Sequence, residues 1–202
     1  MKKLLILFIA MSLITFHSCK NDNKEMKKDN PFFAEYQTPF QVPPFDKIDT
    51  TDYMPAFIEG IKRHDAEIEA IVNNTEAPDF DNTILVLDKS GLMLTHVRKV
   101  FFNLLSANTN DQFQAIAKKV NPMLSKHNDD IAMNAKLFKR VKAVYEKRND
   151  SKLDSGQIRV VEKYFKDFER NGANLSKEDQ DKLIKNISEL KTVSLQNCPS
   201  CR

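Results

Sequence analysis

From Thr50 to Leu195 apolar residues return every three or four positions, with few interruptions. That period lines up side chains on one stripe of an α-helix and does not match the alternation of a half-buried strand. Glycine agrees with it. The chain has 4 glycines in 202 residues, about 2% against a usual ~7%. Tight hairpins consume glycine, so an all-β fold is disfavoured. The expected fold is all-α: an antiparallel helical bundle of about six helices, preceded by an extended strap rich in proline and aromatic residues.

The first stripe holds Tyr53, Phe57, Ile61, Ile68, Ile71 and Val72, and Pro55 suits a first helical turn. Ala77-Pro78-Asp79 breaks the chain. A second helix is expected to start near Asp81, which can cap it, and to carry Phe80, Ile84, Leu87, Leu94, Val97, Phe101, Phe102 and Leu105. Gly91 falls inside that helix, either to admit a close neighbour or as a tolerated glycine. Thr109 to Gln112 has capping-box form and opens a third helix with Phe113, Ile116, Ala117, Val120, Leu124 and Ile131. Pro122 predicts a kink or joint within it. Asn134 caps a shorter helix bearing Leu137, Phe138, Val141, Val144 and Tyr145. Asp154 with Gln157 opens the fifth, which stops at Asn171-Gly172. Ser176 with Asp179 opens the sixth, with Leu183, Ile187, Leu190, Val193 and Leu195 on its face.

Before the helices, Asn30 to Asp49 sets Pro31, Pro39, Pro43 and Pro44 among Phe32, Phe33, Tyr36, Phe40 and Phe45. Proline blocks helix, so this is extended or turning chain. Its aromatics are expected to lie as a strap along the helical body, since each one fully buried contributes roughly 1.5–3 kcal/mol. A proline-rich ligand for a recognition module is the competing reading. Earlier still, Met1 to Ser18 joins Lys2 and Lys3 to an apolar run from Leu4 to Phe16. That is the layout of a secretory signal and is shorter than a membrane span. It ends at Ser18-Cys19, which resembles a bacterial lipoprotein signal in which Cys19 takes the lipid. A plain secretory signal is the alternative. Residues 20–30 carry one apolar side chain, Met26, and read as a flexible tether. The expected organisation is therefore a leader at 1–18, a tether at 19–29, a helical unit at 30–197 and an atypical tail at 198–202. The product is expected in the cell envelope, lipid-anchored on the periplasmic side, with the membrane as one partner. The formal charge of +3 gives no basic stripe, so no nucleic-acid partner is expected.

Chemistry-bearing motifs are sparse. The histidines are His17, His64, His96 and His127, and no two fall within five residues. The zinc motif H-E-x-x-H therefore does not occur. His64, His96 and His127 lie on different expected helices. The nucleophile elbow G-x-S-x-G and the phosphate-cradling glycine loops do not occur either. Asp129-Asp130 and Glu67-Ile68-Glu69 read as solvated helix faces. Cys198-Pro-Ser-Cys201 is half a zinc site, a redox pair or a terminal accident. No catalytic residue, metal ligand or cofactor is assigned within this chain.

The ordered series Pro43-Pro-Phe-Asp-Lys-Ile48, Tyr53-Met-Pro-Ala-Phe57, Gly60-Ile61, Glu76-Ala-Pro-Asp-Phe80 and Asn82-Thr-Ile84 resembles the N-terminal region of peptidyl-dipeptidases. Leu87 to Gly91, Val100 to Leu105, Pro122 to Ser125 and Gly172 to Leu175 continue the resemblance. These enzymes belong to the thimet-oligopeptidase family of zinc metallopeptidases. The resemblance implies a helical lobe that walls a channel for short peptides, from which the full-length enzyme removes C-terminal dipeptides using zinc. The family's H-E-x-x-H region is expected outside this chain, so the chain alone is expected to be inactive. A truncated or frame-shifted gene would account for the end at Arg202 and for the orphan Cys198 and Cys201. The alternatives are a stand-alone helical lipoprotein that binds peptides or a partner protein, and a redox or metal protein built on the two cysteines.

Overall fold

The computed structural model describes residues 30–196. Helices account for most of them, and no strand occurs among the described residues. Short 3₁₀ turns at Pro31–Phe33 and Pro39–Gln41 shape the strap. Then follow α1 (Thr50–Val72), a π-helical segment (Phe80–Leu85) that runs into α2 (Val86–Lys89), α3 (Leu92–Ala107), α4 (Asp111–Ala132), α5 (Ala135–Glu146), α6 (Ser155–Arg170) and α7 (Lys177–Gln196). No described helix is long and apolar enough to cross a membrane.

Local chemistry sets the ends of these helices. Asn134 Oδ1 accepts from the Leu137 N–H at 3.0 Å, and Asp154 and Gln157 form the reciprocal box expected of them. At the end of α6 the N–H of Ala173 reaches the Phe168 carbonyl and that of Gly172 reaches the Glu169 carbonyl. This is the Schellman pattern, with Gly172 left-handed at φ 81°.

Five expectations shift. Asp79, not Asp81, caps the second helix, because Asn82 in the third helical position closes the box with it at 2.7 and 3.0 Å. Asn110, not Thr109, caps α4, through its acceptance from the Phe113 N–H at 2.9 Å. Pro55 lies in the second turn of α1, where the carbonyl it fails to bond belongs to exposed Thr51. The long second helix is divided: α2 closes on Ser90, and Gly91 turns left-handed at φ 67° before α3. The apolar rhythm hides that break, since Leu87 and Leu94 keep seven-residue spacing across it. α4 runs through Pro122 as one helix, with Pro122 and Lys118 on its exposed side.

Two apolar cores result. The first joins the start of the strap, the N-terminal half of α1, α3 and the first half of α4 around Tyr53, Phe57, Val97, Phe101, Phe113 and Val120. Phe101 is its hub, with ring centroids 5.1 Å from Tyr53, 5.3 Å from Phe57 and 5.3 Å from Phe113. The second joins the C-terminal half of α1, the π-helical segment, α2, α5 and α6 around Ile68, Ile84, Leu137, Val141 and Val161. Buried Arg140 of α5 donates to the carbonyl of Asn74 at 2.7 Å and to Asn82 Oδ1 at 3.1 Å, tying down the link after α1.

The strap follows its expected course only in part. Asn30 and Phe32 are buried, with the Asn30 amide donating to the Asp52 carbonyl at 2.8 Å and the Phe32 ring 5.4 Å from Tyr53. Phe33 and Tyr36 are half-buried. Phe40, however, is 99% exposed and Phe45 52% exposed. Pro39 and the left-handed pair Phe40-Gln41 turn the chain so that the Phe40 ring stands off the body, while Phe45 lies half-exposed beside Lys99, Val100 and Leu104 of α3.

Candidate functional site

The densest polar constellation among the described residues lies where α1, the α2–α3 corner and α4 meet. His64 of α1 sets Nε2 3.0 Å from Ser90 Oγ, and Ser90 Oγ lies 2.7 Å from the Leu87 carbonyl. His127 of α4 sets Nε2 3.0 Å from His64 Nδ1, and its own Nδ1 lies 3.0 Å from Asp65 Oδ1. The side chain of His127 is 3% exposed, that of Asp65 55%. Glu67 accepts from the Gly91 N–H at 2.6 Å. Gly91 is required here in two ways. Its backbone is left-handed, and a Cβ would stand 2.7 Å from His64 Nδ1. The close-neighbour reading of Gly91 therefore holds.

Serine, histidine, histidine and aspartate in a row resemble a nucleophile with its base and orienting acid. Hydrogen accounting gives a different role. The contact between Ser90 Oγ and the Leu87 carbonyl needs the hydroxyl hydrogen, so Ser90 accepts from His64 Nε2–H and is not activated by it. Burial and the neighbouring His127 lower the His64 pKa below the ordinary histidine value. The constellation is a structural relay that joins three helices.

A second feature is a cleft of about 610 Å³ between the strap and α3. Arg63, His96 and Lys99 bring basic groups to it, and Phe33, Tyr36 and Phe40 bring aromatic ones. Arg63 is bonded to Glu59 at 2.8 Å and lies over the Phe33 ring, while His96 stacks on Tyr36 with centroids 6.3 Å apart. Burial raises the Tyr36 pKa. The three described histidines thus divide: His64 and His127 meet, and His96 stands apart. Sequence spacing could not bring the first two together, because 63 residues separate them. The lipidation candidate Cys19, the histidine His17 and the pair Cys198 and Cys201 lie outside the described residues, as do the side chains of Leu190, Val193 and Leu195.

No family model matches the chain. Curated relatives do match. Dipeptidyl carboxypeptidase of Escherichia coli is 41% identical over 167 residues, covering 83% of this chain and 24% of the relative. Dipeptidyl carboxypeptidase of Salmonella typhimurium is 41% identical over 154 residues, covering 76% of this chain and 23% of the relative. The chain belongs to the thimet-oligopeptidase family. More distant members agree: oligopeptidase A of Escherichia coli is 23% identical over 145 residues, and a thimet-like oligopeptidase of Dictyostelium discoideum is 26% identical over 153. The chain spans about a quarter of the length of the curated relatives it matches first.

Proposed function

We propose that residues 30–196 form the helical lobe of a peptidase of the dipeptidyl carboxypeptidase type, one wall of a channel that admits short peptides. The observation that carries this reading is the 41% identity to two dipeptidyl carboxypeptidases across most of the chain but about a quarter of each relative. The zinc ion that the family implies does not fit the described residues. No three histidine, cysteine, aspartate or glutamate side chains among them are grouped so as to hold a metal. The ring nitrogens of His64 and His127 and the Asp65 carboxylate are engaged with one another. The lobe's part is then to shape and restrict entry, with metal-activated water supplied by the family's H-E-x-x-H region. Cys19, at the end of the leader, would tether the protein by lipid to the periplasmic side of the envelope. Fatty-acid labelling that marks the wild type and spares Cys19→Ala tests that anchor, and equal labelling of both refutes it.

The lobe assignment is tested by a chimera. Residues 30–196 replace the matched stretch of Escherichia coli dipeptidyl carboxypeptidase, and release of dipeptides from short peptides is measured. Retained release is expected. A chimera that melts cooperatively and binds zinc, yet releases nothing, would overturn the assignment.

A further inference from the structure

The relay lies at the boundary of the two cores on every helix that contributes to it. On α1, His64 stands between Phe57 of the first core and Ile68 of the second. At the corner, Ser90 stands between Leu94 of the first and Leu87 of the second. On α4, His127 stands between Leu124 of the first and Ile131, which packs against the second. A polar layer thus separates two apolar bodies, and three chain segments cross it.

The hydrogens of that layer can be counted. Ser90 gives its hydroxyl hydrogen to Leu87, so the hydrogen between Ser90 and His64 sits on His64 Nε2. A neutral His64 then offers a lone pair at Nδ1, so the hydrogen shared with His127 sits on His127 Nε2. His127 Nδ1 faces the Asp65 carboxylate at 3.0 Å, and that contact also needs a hydrogen. A carboxylate oxygen accepts and does not donate, so the hydrogen belongs to the ring. His127 then turns both ring nitrogens toward acceptors, Nδ1 to Asp65 and Nε2 to His64, and a single shared hydrogen lies between the two rings. A second proton would have to go to His64 Nδ1. It would set two ring N–H groups against each other at 3.0 Å and place two like charges in contact.

We propose that Asp65, His127, His64 and Ser90 form a one-proton seam between the two cores, and that a second proton, taken by His64, opens the corner between α2 and α3. The charged groups facing the pair are Asp65 and Glu67 from α1, and behind Asp65 stands Lys126 of α4, which is bonded to Asp130 at 2.5 Å. The α2–α3 corner presents the Ser90 hydroxyl and the Gly91 N–H. Burial, and then the neighbouring His127, lower the pKa of folded His64 below the ordinary value of 6.5 that it has when unfolded. Unfolded chain therefore binds more protons as pH falls through that value. The contribution of His64 to stability is complete above about pH 6.5 and declines below it. Acidification selects the open corner before global unfolding, because Ser90 and Gly91 are held there through the α1 side chains.

The experiment uses the full chain, labelled with ¹⁵N in histidine. At about pH 7.5 the ring spectrum is expected to show two protonated nitrogens on His127 and a single one, Nε2, on His64. Amide exchange at Gly91 and Thr95, corrected for intrinsic rates, is expected to rise by up to roughly tenfold per pH unit as pH falls below about 6.5, while Phe57 and Val141 stay protected. In His64→Gln the corner's exchange loses that pH dependence. A neutral His127 at about pH 7.5, or exchange that rises equally in both cores and at the corner, overturns the proposal. The ring spectrum of the wild type decides the protonation even if the variant fails to fold.

Discussion

Gly91→Ala isolates the seam. Alanine at φ 67° carries left-handed strain of about 1–2 kcal/mol. The new Cβ would also stand 2.7 Å from His64 Nδ1 and 2.8 Å from Cε1, well inside contact distance. The ring cannot step back freely, since both of its nitrogens are bonded at 3.0 Å, one to Ser90 and one to His127. Displacing it leaves a buried ring N–H of His127 without an acceptor, a further loss of about 1–3 kcal/mol. The sum, about 2–5 kcal/mol, is a large part of the roughly 5–15 kcal/mol that holds a domain together. Gly156→Ala is the control. Gly156 is exposed in the first turn of α6, and its nearest atom is Asp154 Oδ1 at 3.1 Å. That change should stay within about 0.5 kcal/mol of the wild type. Urea unfolding followed by circular dichroism measures both, with an unchanged slope as the condition for comparison. A loss under about 1 kcal/mol for Gly91→Ala, or equal effects at the two glycines, would refute the account of the seam.

Two phenylalanines should respond in opposite directions. Phe101→Ala empties the hub of the first core and should remove about 3–5 kcal/mol in the same urea experiment. Phe40→Asn relieves a left-handed backbone at φ 57° and loses no contact, so it should raise stability by about 0.5–1 kcal/mol. Alkaline titration supplies a third check. Burial, with Tyr36 and Asp52 nearby, pushes the Tyr53 phenol up to about 12 from 10.0. Burial and its hydrogen bond to Asp88 raise that of Tyr164 still further. Unfolded phenols release their protons first, so stability should be intact below pH 10 and fall above it. Absorbance at the phenolate band should show these two tyrosines ionising only with unfolding. A smooth titration of all four tyrosines near 10 in folded protein would contradict their burial.

What could be read from the sequence was the chemistry that acts within a few residues. Asp154 with Gln157, Asn134 and Asn171-Gly172 bracket helices because caps and Schellman ends are made by neighbours in the chain. Helical stripes likewise gave Tyr53, Phe57, Phe101 and Val141 their buried places. The division at Gly91 was hidden, since a break that preserves apolar spacing leaves no trace in the period. The outward turn at Phe40 was hidden too, because proline marks a bend and not its direction. The relay was least legible of all. His64 and His127 meet only after the α1–α4 contact has formed, and no local pattern encodes a pairing over that distance.

Stability alone does not account for the seam. Replacing a buried charged network by apolar residues of similar size is often neutral, or stabilising by about 1–4 kcal/mol. His64→Leu, His127→Leu and Ser90→Ala made together would fuse the two cores and leave Asp65 in water, where it is already more than half exposed. If the layer existed to hold the fold, that triple variant would melt well below the wild type. If it exists to couple the corner to a proton, the variant should melt at or above the wild-type temperature at neutral pH. It should also keep that temperature on acidification through the histidine range, where the wild type loses it. Thermal unfolding of both chains across that range separates the two cases, and a triple variant that keeps the wild-type acid sensitivity would show that the titrating group lies elsewhere.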